Sequence, residues 1–164
     1  MLPSSRRELG VLSSLYMSLV ENKKAYHDFE ILEEYEGGIV LLGHEVKSVT
    51  LGRASLRGSH VVVRGGDLFI LGMTIPPYQI GNTPKDYEPD RPRKLLLHKY
   101  QIDTLIGKGQ TKGLTIIPLR VYTKGTKVKL AFAVARGKKT HDKRETLKKR
   151  EASRDIARSL KKSQ

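Results

Sequence analysis

The C-terminal residues 136–164 most constrain how this chain can fold, because they contain almost nothing that could fill a core. They hold twelve Lys and Arg against four Asp and Glu, and their large apolar side chains are Leu147, Ile156 and Leu160. A segment of this composition cannot offset the entropy of its own ordering by burying apolar surface. The sequence therefore predicts a folded domain at 22–136 and a separate basic tail at 137–164.

The tail nevertheless has the periodicity of a helix. Two rows of side chains recur at helical spacing: a cationic row of Arg150, Arg154, Arg158 and Lys162, and opposite it a thin apolar row of Ala152, Ile156 and Leu160. A helix of this kind is marginal alone in water. We expect the tail to be disordered when free and to become helical on a polyanion, for which RNA is the leading candidate.

The charge of the whole chain narrows the classes of partner. Its net charge is +14 and its pI is about 10.0, which favours nucleic acid or an anionic membrane surface. The chain has no cysteine, so disulfides and thiolate metal sites are excluded, and it has no apolar run long enough to span a bilayer. We expect a cytoplasmic protein.

The first residues carry no pattern of stable structure. Residues 1–21 mix apolar side chains with serines and Glu8, and no small-residue cleavage site follows them, which is unlike a secretory signal. We expect a disordered arm. Met17 is a possible alternative start of translation, and the Arg and Ser content leaves an organelle-targeting segment open.

The body alternates polar and apolar residues in the manner of β-strands. In the first strand Phe29, Ile31, Glu33 and Tyr35 are expected on one face, and Gly37-Gly38 predicts a bulge or bend before a buried run at 39–42. Further expected elements are a helix at 44–51, a hairpin at 55–64 and 68–74, a proline-rich loop at 76–92, a helix at 94–106, and strands at 113–123 and 127–136. This order predicts a mainly β fold: a small antiparallel barrel of the oligonucleotide-binding type with flanking short helices.

No catalytic or metal site emerges from the motifs. The string that begins at His44 and Glu45 resembles a zinc-protease helix but has Ser48 where the second histidine would stand. The glycines at 107–113 follow a predicted helix and precede a strand, which is the reverse of a phosphate loop. The sequence therefore predicts no metal, no cofactor and no enzyme activity.

Clusters of basic residues indicate a binding function more strongly than these motifs do. They lie at Asn22-Lys23-Lys24, at Arg91-Arg93-Lys94, and at Lys124, Lys127 and Lys129. Any single lysine usually lies on a solvated surface, but the total excess of charge favours contact with RNA.

Three blocks of sequence, at 22–56, 91–108 and 136–151, together resemble the SsrA-binding protein family, also called small protein B. The resemblance implies a ribosome-rescue factor that is not an enzyme. Such a factor binds the tRNA-like domain of transfer-messenger RNA with its barrel and delivers that RNA to stalled ribosomes. The tail is then implied to enter the empty messenger channel near the decoding centre and to become helical there.

The resemblance also implies which body residues contact RNA: Asn22, Glu36, Leu96 and Lys127, with Lys23, Lys24 and His27 as neighbours. Lys127 would neutralise phosphate. Glu36 would accept hydrogen bonds from base amino groups or hydroxyls, or orient a basic neighbour. Leu96 would pack on a base or belong to the core.

In the tail the resemblance implies ribosome contacts at Gly137, Lys138, Lys139, His141, Asp142, Lys143, Arg144, Lys148 and Arg150. His141 is suited to stack on an exposed ribosomal base, and Lys143 and Arg144 to bind phosphate. Asp142 would cap the tail helix at its N-terminus.

Three alternatives stay open at this point. One is a general RNA-binding module without a dedicated RNA. Another is an RNA-modifying enzyme that uses the barrel as a platform, although no cofactor loop is visible. The third is membrane attachment through the cationic tail helix, which has few bulky apolar residues for it. We expect a monomer that binds transfer-messenger RNA and the ribosome and no membrane.

Overall fold

The structure is a computed structural model that describes the backbone of residues 17–162. Side chains are described through residue 139 and, beyond it, at 142, 144, 145, 147–156 and 158. The strands are β1 (Ser18–Glu21), β2 (Phe29–Ile39), β3 (His60–Arg64), β4 (Asp67–Leu71), β5 (Arg93–Leu96), β6 (Leu114–Lys124) and β7 (Lys127–Gly137). The helices are α1 (Lys23–Asp28), α2 (Gly43–Thr50), α3 (Lys99–Gly109) and α4 (Thr140–Lys162), and a short 3₁₀ turn lies at Ile80–Asn82.

Six of these strands close a ring. Their order is β6-β3-β4-β5-β2-β7, every pairing is antiparallel, and β7 pairs again with β6, while β1 adds to β6. A closed ring leaves no edge strand among its members. The predicted small antiparallel barrel with short flanking helices is confirmed.

The inside of the ring is the main core. Leu130, Phe132 and Val134 of β7 are buried in it, and the ring of Phe132 stacks on that of Tyr35 with 5.8 Å between centroids. These three residues alternate along the strand, so they share one face. They form the inward face of β7.

A second, smaller apolar cluster lies on the outer face of β6 and β7. Ala133 and Ala135 of β7 are fully buried there together with Ile117 of β6 and Ala25 of α1. Small side chains on the strand let the helix approach the sheet closely, and α1 therefore covers part of the outer face of the barrel.

A bulge in β2 overturns one expectation about its faces. The register with β7 shifts between Ile31 and Glu33. Ile31 therefore packs on the outer cluster while Tyr35 packs on the main core, although the sequence predicted one shared face. An extra residue in a strand reverses the face of the sheet to which each following side chain points.

Gly37 and Gly38 mark the bend that closes the barrel, as predicted. Gly38 lies opposite Lys129 of β7 and also opposite Leu96 of β5, so β2 changes partner here. A Cβ atom at Gly37 would lie 3.3 Å from the carbonyl oxygen of Leu96, which explains the need for glycine. The predicted buried run at 39–42 is wrong beyond Ile39, since the strand ends there and the next residue, Val40, is exposed.

The segment at 94–106 is not one helix. It begins as strand β5, which pairs with β2 and β4, and the helix follows from Lys99 to Gly109. Arg93 and Leu95 alternate into the interior, which is a two-residue period that the helical reading overlooked.

The predicted disordered arm at 1–21 needs correction at its end. Residues 18–21 form β1, in which Val20 pairs with Val121, and Leu19 and Val20 pack against the main core. Residues 1–16 lie outside the described part of the chain. The domain boundary also moves at the other end, because Gly137 closes β7 opposite Phe29.

The tail is a single helix in the structure. The described side chains of α4 are exposed, including Leu147 and Ile156, and the helix contacts the body at α1. Its periodicity was visible in the sequence, and its disorder in the free chain stays a prediction. Within residues 17–162, no helix has the length and apolar character that crossing a membrane requires.

Candidate nucleic-acid interface

The RNA-contact residues predicted in the body lie on the same outer face of the barrel. Paired residues of antiparallel strands point to the same side, and Ala131 and Ala133 place the outer side of β7. Six residues of β2, β6 and β7 lie on this outer side: Glu36, Arg120, Tyr122, Lys124, Lys127 and Lys129. We name these six residues, together with Leu96 and the exposed side of α1, the outer strip. The sequence had placed these residues far apart, and the register brings them together.

Glu36 is held by its neighbours within the strip. The Tyr122 hydroxyl donates a hydrogen bond to one carboxylate oxygen, and Lys124 Nζ donates to the other at 3.3 Å. Burial alone would raise the pKa of Glu36, but these bonds and the charges of Lys124 and Lys129 outweigh it and lower that pKa. Of the two roles expected for Glu36, this geometry matches the orienting of a basic neighbour.

Asn22 has a structural role that sequence reasoning did not assign. It is the N-cap of α1: its Oδ1 accepts from the backbone N–H of Ala25 at 3.3 Å, and its Nδ2 donates to the carbonyl of Pro118 at 3.0 Å. Asn22 therefore ties the helix to β6. Its contact with RNA stays a prediction.

The other predicted residues of α1 are accessible. Lys23 and Lys24 are exposed, and Lys24 Nζ lies 3.8 Å from the Asp28 carboxylate, which is too loose an ion pair to hold it. His27 is half-buried, with 2.8 Å between its Nδ1 and Asp28 Oδ1. The helix thus contributes exposed cations to the strip.

Leu96 does not belong to the core. Its side chain is 54% exposed and lies against Gly38, at the end of the strip. Lys127 is exposed and lies opposite Lys124 at the hairpin. Both are positioned to touch a ligand that covers the outer face.

The predicted basic cluster at 91–94 is wrong as a surface. Arg93 is fully buried and binds the buried carboxylate of Glu45, and Arg91 Nη2 lies 2.6 Å from the same carboxylate. Lys94 pairs with Asp67 at 2.7 Å. Arg91 and Arg93 thus hold the proline-rich loop and β5 to α2, while Lys94 pairs across to β4 and keeps 43% of its side chain exposed.

Two residues of the strip were missed by sequence reasoning. Arg120 places its guanidinium 5.6 Å from the ring centroid of Tyr122, a cation–π contact on the outer face. The register shift between Pro118 and Arg120 brings both residues outward. An aromatic and a basic residue close together in the sequence could have suggested an RNA contact. The bulge, however, made it impossible to predict from the sequence which face of the sheet they lie on.

The root of the tail is fixed to α1. The backbone N–H of Lys138 donates to the carbonyl of Asp28 at 2.9 Å, and its Nζ donates to the carbonyl of Tyr26 at 3.1 Å. Lys139 is exposed, and Gly137 is the last residue of β7. The tail therefore leaves the barrel beside the outer strip.

Within α4 the described cations face solvent: Arg144, Lys148 and Arg150 are exposed. Asp142 lies in the first turn and not at the cap position, since the helix begins at Thr140; there it still favours the helix dipole. The side chains of His141 and Lys143 lie outside the described residues. Their stacking and phosphate contacts stay predictions.

Among the side chains that the structure describes, no three of His, Asp or Glu are grouped as a metal site would need. The accessible side chains of the outer strip are instead mainly cationic. Tyr122 is only 5% exposed, and an accessible aromatic ring is supplied by Tyr26 of α1. Lysine and arginine neutralise phosphate, and aromatic rings stack on bases.

Comparison with known proteins decides the family. The family model described as "SmpB: SmpB protein" matches residues 19–162. The chain belongs to the SmpB family. The resemblance predicted from three blocks of sequence is confirmed over almost the whole described chain.

Two relatives of the SmpB family show how close the match is. The SsrA-binding protein of Carboxydothermus hydrogenoformans is 51% identical over 142 residues, which cover 87% of this chain and 95% of the relative. That of Microcystis aeruginosa is 47% identical over 143 residues, covering 87% and 93%. A solved structure described as "tmRNA-SmpB: a journey to the center of the bacterial ribosome" contains a chain 43% identical, with a TM-score of 0.62, covering 73% of this chain and 84% of that one.

Proposed function

We propose that this protein is an RNA-binding adaptor of ribosome rescue. It binds the tRNA-like domain of transfer-messenger RNA with the barrel and carries that RNA to ribosomes stalled without a usable stop codon. The observation that carries the proposal is the outer strip, a barrel face that carries the exposed cations Lys124 and Lys127, in a chain 51% identical to an SsrA-binding protein.

The proposal divides the work between two surfaces. The outer strip holds the RNA through phosphate and 2′-hydroxyl contacts, which suit the shape of folded RNA. Helix α4, whose described side chains are exposed and largely charged, binds ribosomal RNA in the messenger channel. The protein acts as a monomer in the cytoplasm and catalyses no reaction itself, so the rescue chemistry belongs to the ribosome and the charged RNA.

The proposal is tested by asking which RNA the protein selects. We expect the tagged protein, purified from its own cells, to retain transfer-messenger RNA above all other RNAs. In a competition assay with labelled tRNA-like domain, unlabelled tRNA and rRNA fragments should compete much more weakly than the unlabelled domain. Equal competition by all three would instead support a general RNA-binding module.

A further inference from the structure

A cavity of about 390 Å³ lies on the outer face of the barrel, next to the outer strip. Its floor is the outward side of β6 at Thr115 and Ile117, one wall is helix α1 with Lys24, and the other wall is the turn at 57–60 that leads into β3. Its size falls in the range of about 300–1,000 Å³ that is usual for small-molecule sites. No residue of the turn was among the predicted contacts.

The turn at 57–60, which forms the wall of the cavity opposite α1, is held in one conformation by its own hydrogen bonds and packing. Ser59 is buried and donates both its backbone N–H and its hydroxyl to the carbonyl of Leu56, at 3.2 and 2.5 Å. Gly58 has a positive φ of 74°, and Gly72 approaches it so closely that a Cβ there would lie 3.3 Å from the Gly58 oxygen. A preformed wall lowers the ordering cost of binding.

The lining of the cavity combines an apolar floor with a cationic rim. Ile117 is buried and Phe29 half-buried at the floor, while Lys24, Arg57 and His60 are exposed at the rim. The half-buried Asp28 carboxylate also lines the α1 wall, 3.8 Å from Lys24 Nζ, so three basic side chains face one acidic one. An unstacked nucleotide needs both features, because its base packs on apolar or aromatic groups and its phosphate binds cations. A purely apolar ligand would not use the rim.

We infer that this cavity receives one unstacked nucleotide of the bound RNA, with the base against Phe29 and Ile117 and the phosphate on Lys24 and Arg57. The inference rests on the proposed function and adds to it a site on a different wall of the outer face. It assigns binding roles to Arg57 and to the β6 floor, which neither the sequence motifs nor the resemblance had singled out.

The test compares three single variants. Thr115→Phe fills the cavity without changing charge, Arg57→Glu reverses a charge at its rim, and Arg53→Glu makes the same reversal at an exposed residue that does not line it. The dissociation constant for the tRNA-like domain is measured over a range of salt. Acylation of the RNA 2′-hydroxyls, read nucleotide by nucleotide, is measured with each protein bound.

We expect Thr115→Phe to weaken binding about tenfold, as for the loss of one stacked base. The salt slope should fall by about one phosphate contact, because the excluded nucleotide also withdraws its phosphate from Lys24 and Arg57. One nucleotide should change its acylation with the wild-type protein and return to the free-RNA value with Thr115→Phe. Arg57→Glu should weaken binding more than Arg53→Glu does. Thermal unfolding checks each fold, and if Thr115→Phe is unfolded, the two exposed arginine variants decide.

Each other result overturns the inference in a distinguishable way. Wild-type affinity and acylation in Thr115→Phe, or equal losses in the two arginine variants, would overturn it while leaving the proposed function intact. Failure of the wild-type protein to select the tRNA-like domain would overturn both. Binding of free nucleoside monophosphates that is lost in Thr115→Phe, without any effect on RNA, would make the cavity a small-molecule site instead.

Discussion

Arg93 and Glu45 are both fully buried, and two nitrogens of the Arg93 guanidinium, Nε and Nη2, donate to the same Glu45 oxygen at 3.0 and 2.8 Å. A third nitrogen of Arg93, Nη1, donates to the carbonyl of Met73 at 2.6 Å. The other Glu45 oxygen accepts from the backbone N–H of Leu42 at 2.8 Å. The pair thus joins β5 to the start of α2 inside the protein.

Removing one member of this pair should destabilise the fold severely. We expect Arg93→Met to cost about 3–5 kcal/mol in the free energy of unfolding, because it leaves a buried carboxylate with fewer partners. Urea unfolding measures the loss. The matched control is Lys108→Met, which breaks the ion pair with Glu33 at the surface and should cost about 0–1 kcal/mol. Similar losses in the two variants would contradict the structural role of Arg93.

The same carboxylate should give the stability a defined pH dependence. Burial alone would raise the pKa of Glu45, but hydrogen bonds from Arg91, from the Leu42 backbone and from Arg93 lower it from 4.5 to about 2. A carboxyl group whose pKa is lower in the folded state than in the unfolded state stabilises the folded protein. This stabilisation is complete at pH values above the unfolded-state pKa and is lost as the pH falls through the folded-state pKa. Over this shift the contribution is about 3 kcal/mol.

The pH range in which Glu45 titrates can be isolated by comparing the wild-type protein with the variant Glu45→Gln. The difference in unfolding free energy between the wild-type protein and this variant should be constant above pH 4.5 and should shrink between pH 4.5 and about 2. Subtracting the variant removes the contributions of Glu33 and Glu36, whose pKa values are also lowered. A difference that stays constant down to pH 2 would show that Glu45 does not titrate in this way.

The same ion pair shows why part of the fold was hidden in the sequence. Local patterns were sufficient for the existence of the long strands β6 and β7, for the regular alternation of β7 at the core face, and for the bend at Gly37. They were not sufficient for β5, because Arg93 is buried only by virtue of its ion pair with Glu45, which lies 48 residues away in the sequence. Without that partner, a charged residue in an apolar run reads as a surface position.

The outer strip shows a similar limit. The resemblance to the family supplied Glu36, Leu96 and Lys127, and the structure places all three on one face. Arg120 and Tyr122 could not be assigned to that face from the sequence, because the bulge beside Pro118 changes which residues point outward. Register irregularities of this kind depend on the pairing of whole strands and leave no local signature.

Leu96 provides a test of the strip that leaves the fold unchanged. Its side chain is 54% exposed, so Leu96→Ala should hardly change the unfolding temperature. If RNA covers the remaining surface, the variant should lose about 1 kcal/mol, or roughly fivefold in affinity for the tRNA-like domain. The control is Ile80→Ala, at an 89% exposed residue outside the strip. Equal affinities of the two variants would remove Leu96 from the interface.

The salt dependence of binding counts the phosphates that the strip neutralises. The slope of log affinity against log salt should be about 0.7–0.9 per phosphate contact. Lys127→Ala should reduce that slope by about one contact and weaken binding to all RNAs alike. Lys85→Ala removes an exposed lysine outside the strip and should leave the slope unchanged. A flat response of the wild-type protein between low and physiological salt would argue against phosphate contacts altogether.

Truncation of the tail separates the two proposed surfaces. A cut after Arg136 would remove Gly137, which pairs with Phe29, and Lys138, which binds α1, so it would disturb the barrel side as well. The truncation that leaves the barrel intact therefore follows Lys139, just before α4 begins at Thr140. We expect this shortened protein to bind the tRNA-like domain within about threefold of the full chain and to lose rescue of stalled ribosomes in a reconstituted translation assay.

The charge removed with α4 complicates this comparison, because any cationic tail adds unspecific affinity for RNA. The control is a full-length variant in which Arg150, Arg154 and Arg158 are replaced by glutamine, which keeps the helix and removes its exposed cationic row. If α4 acts through ribosomal RNA, this variant should also bind the tRNA-like domain and fail in rescue. Equal loss of RNA binding and rescue in the truncated protein would show that α4 belongs to the same surface as the outer strip.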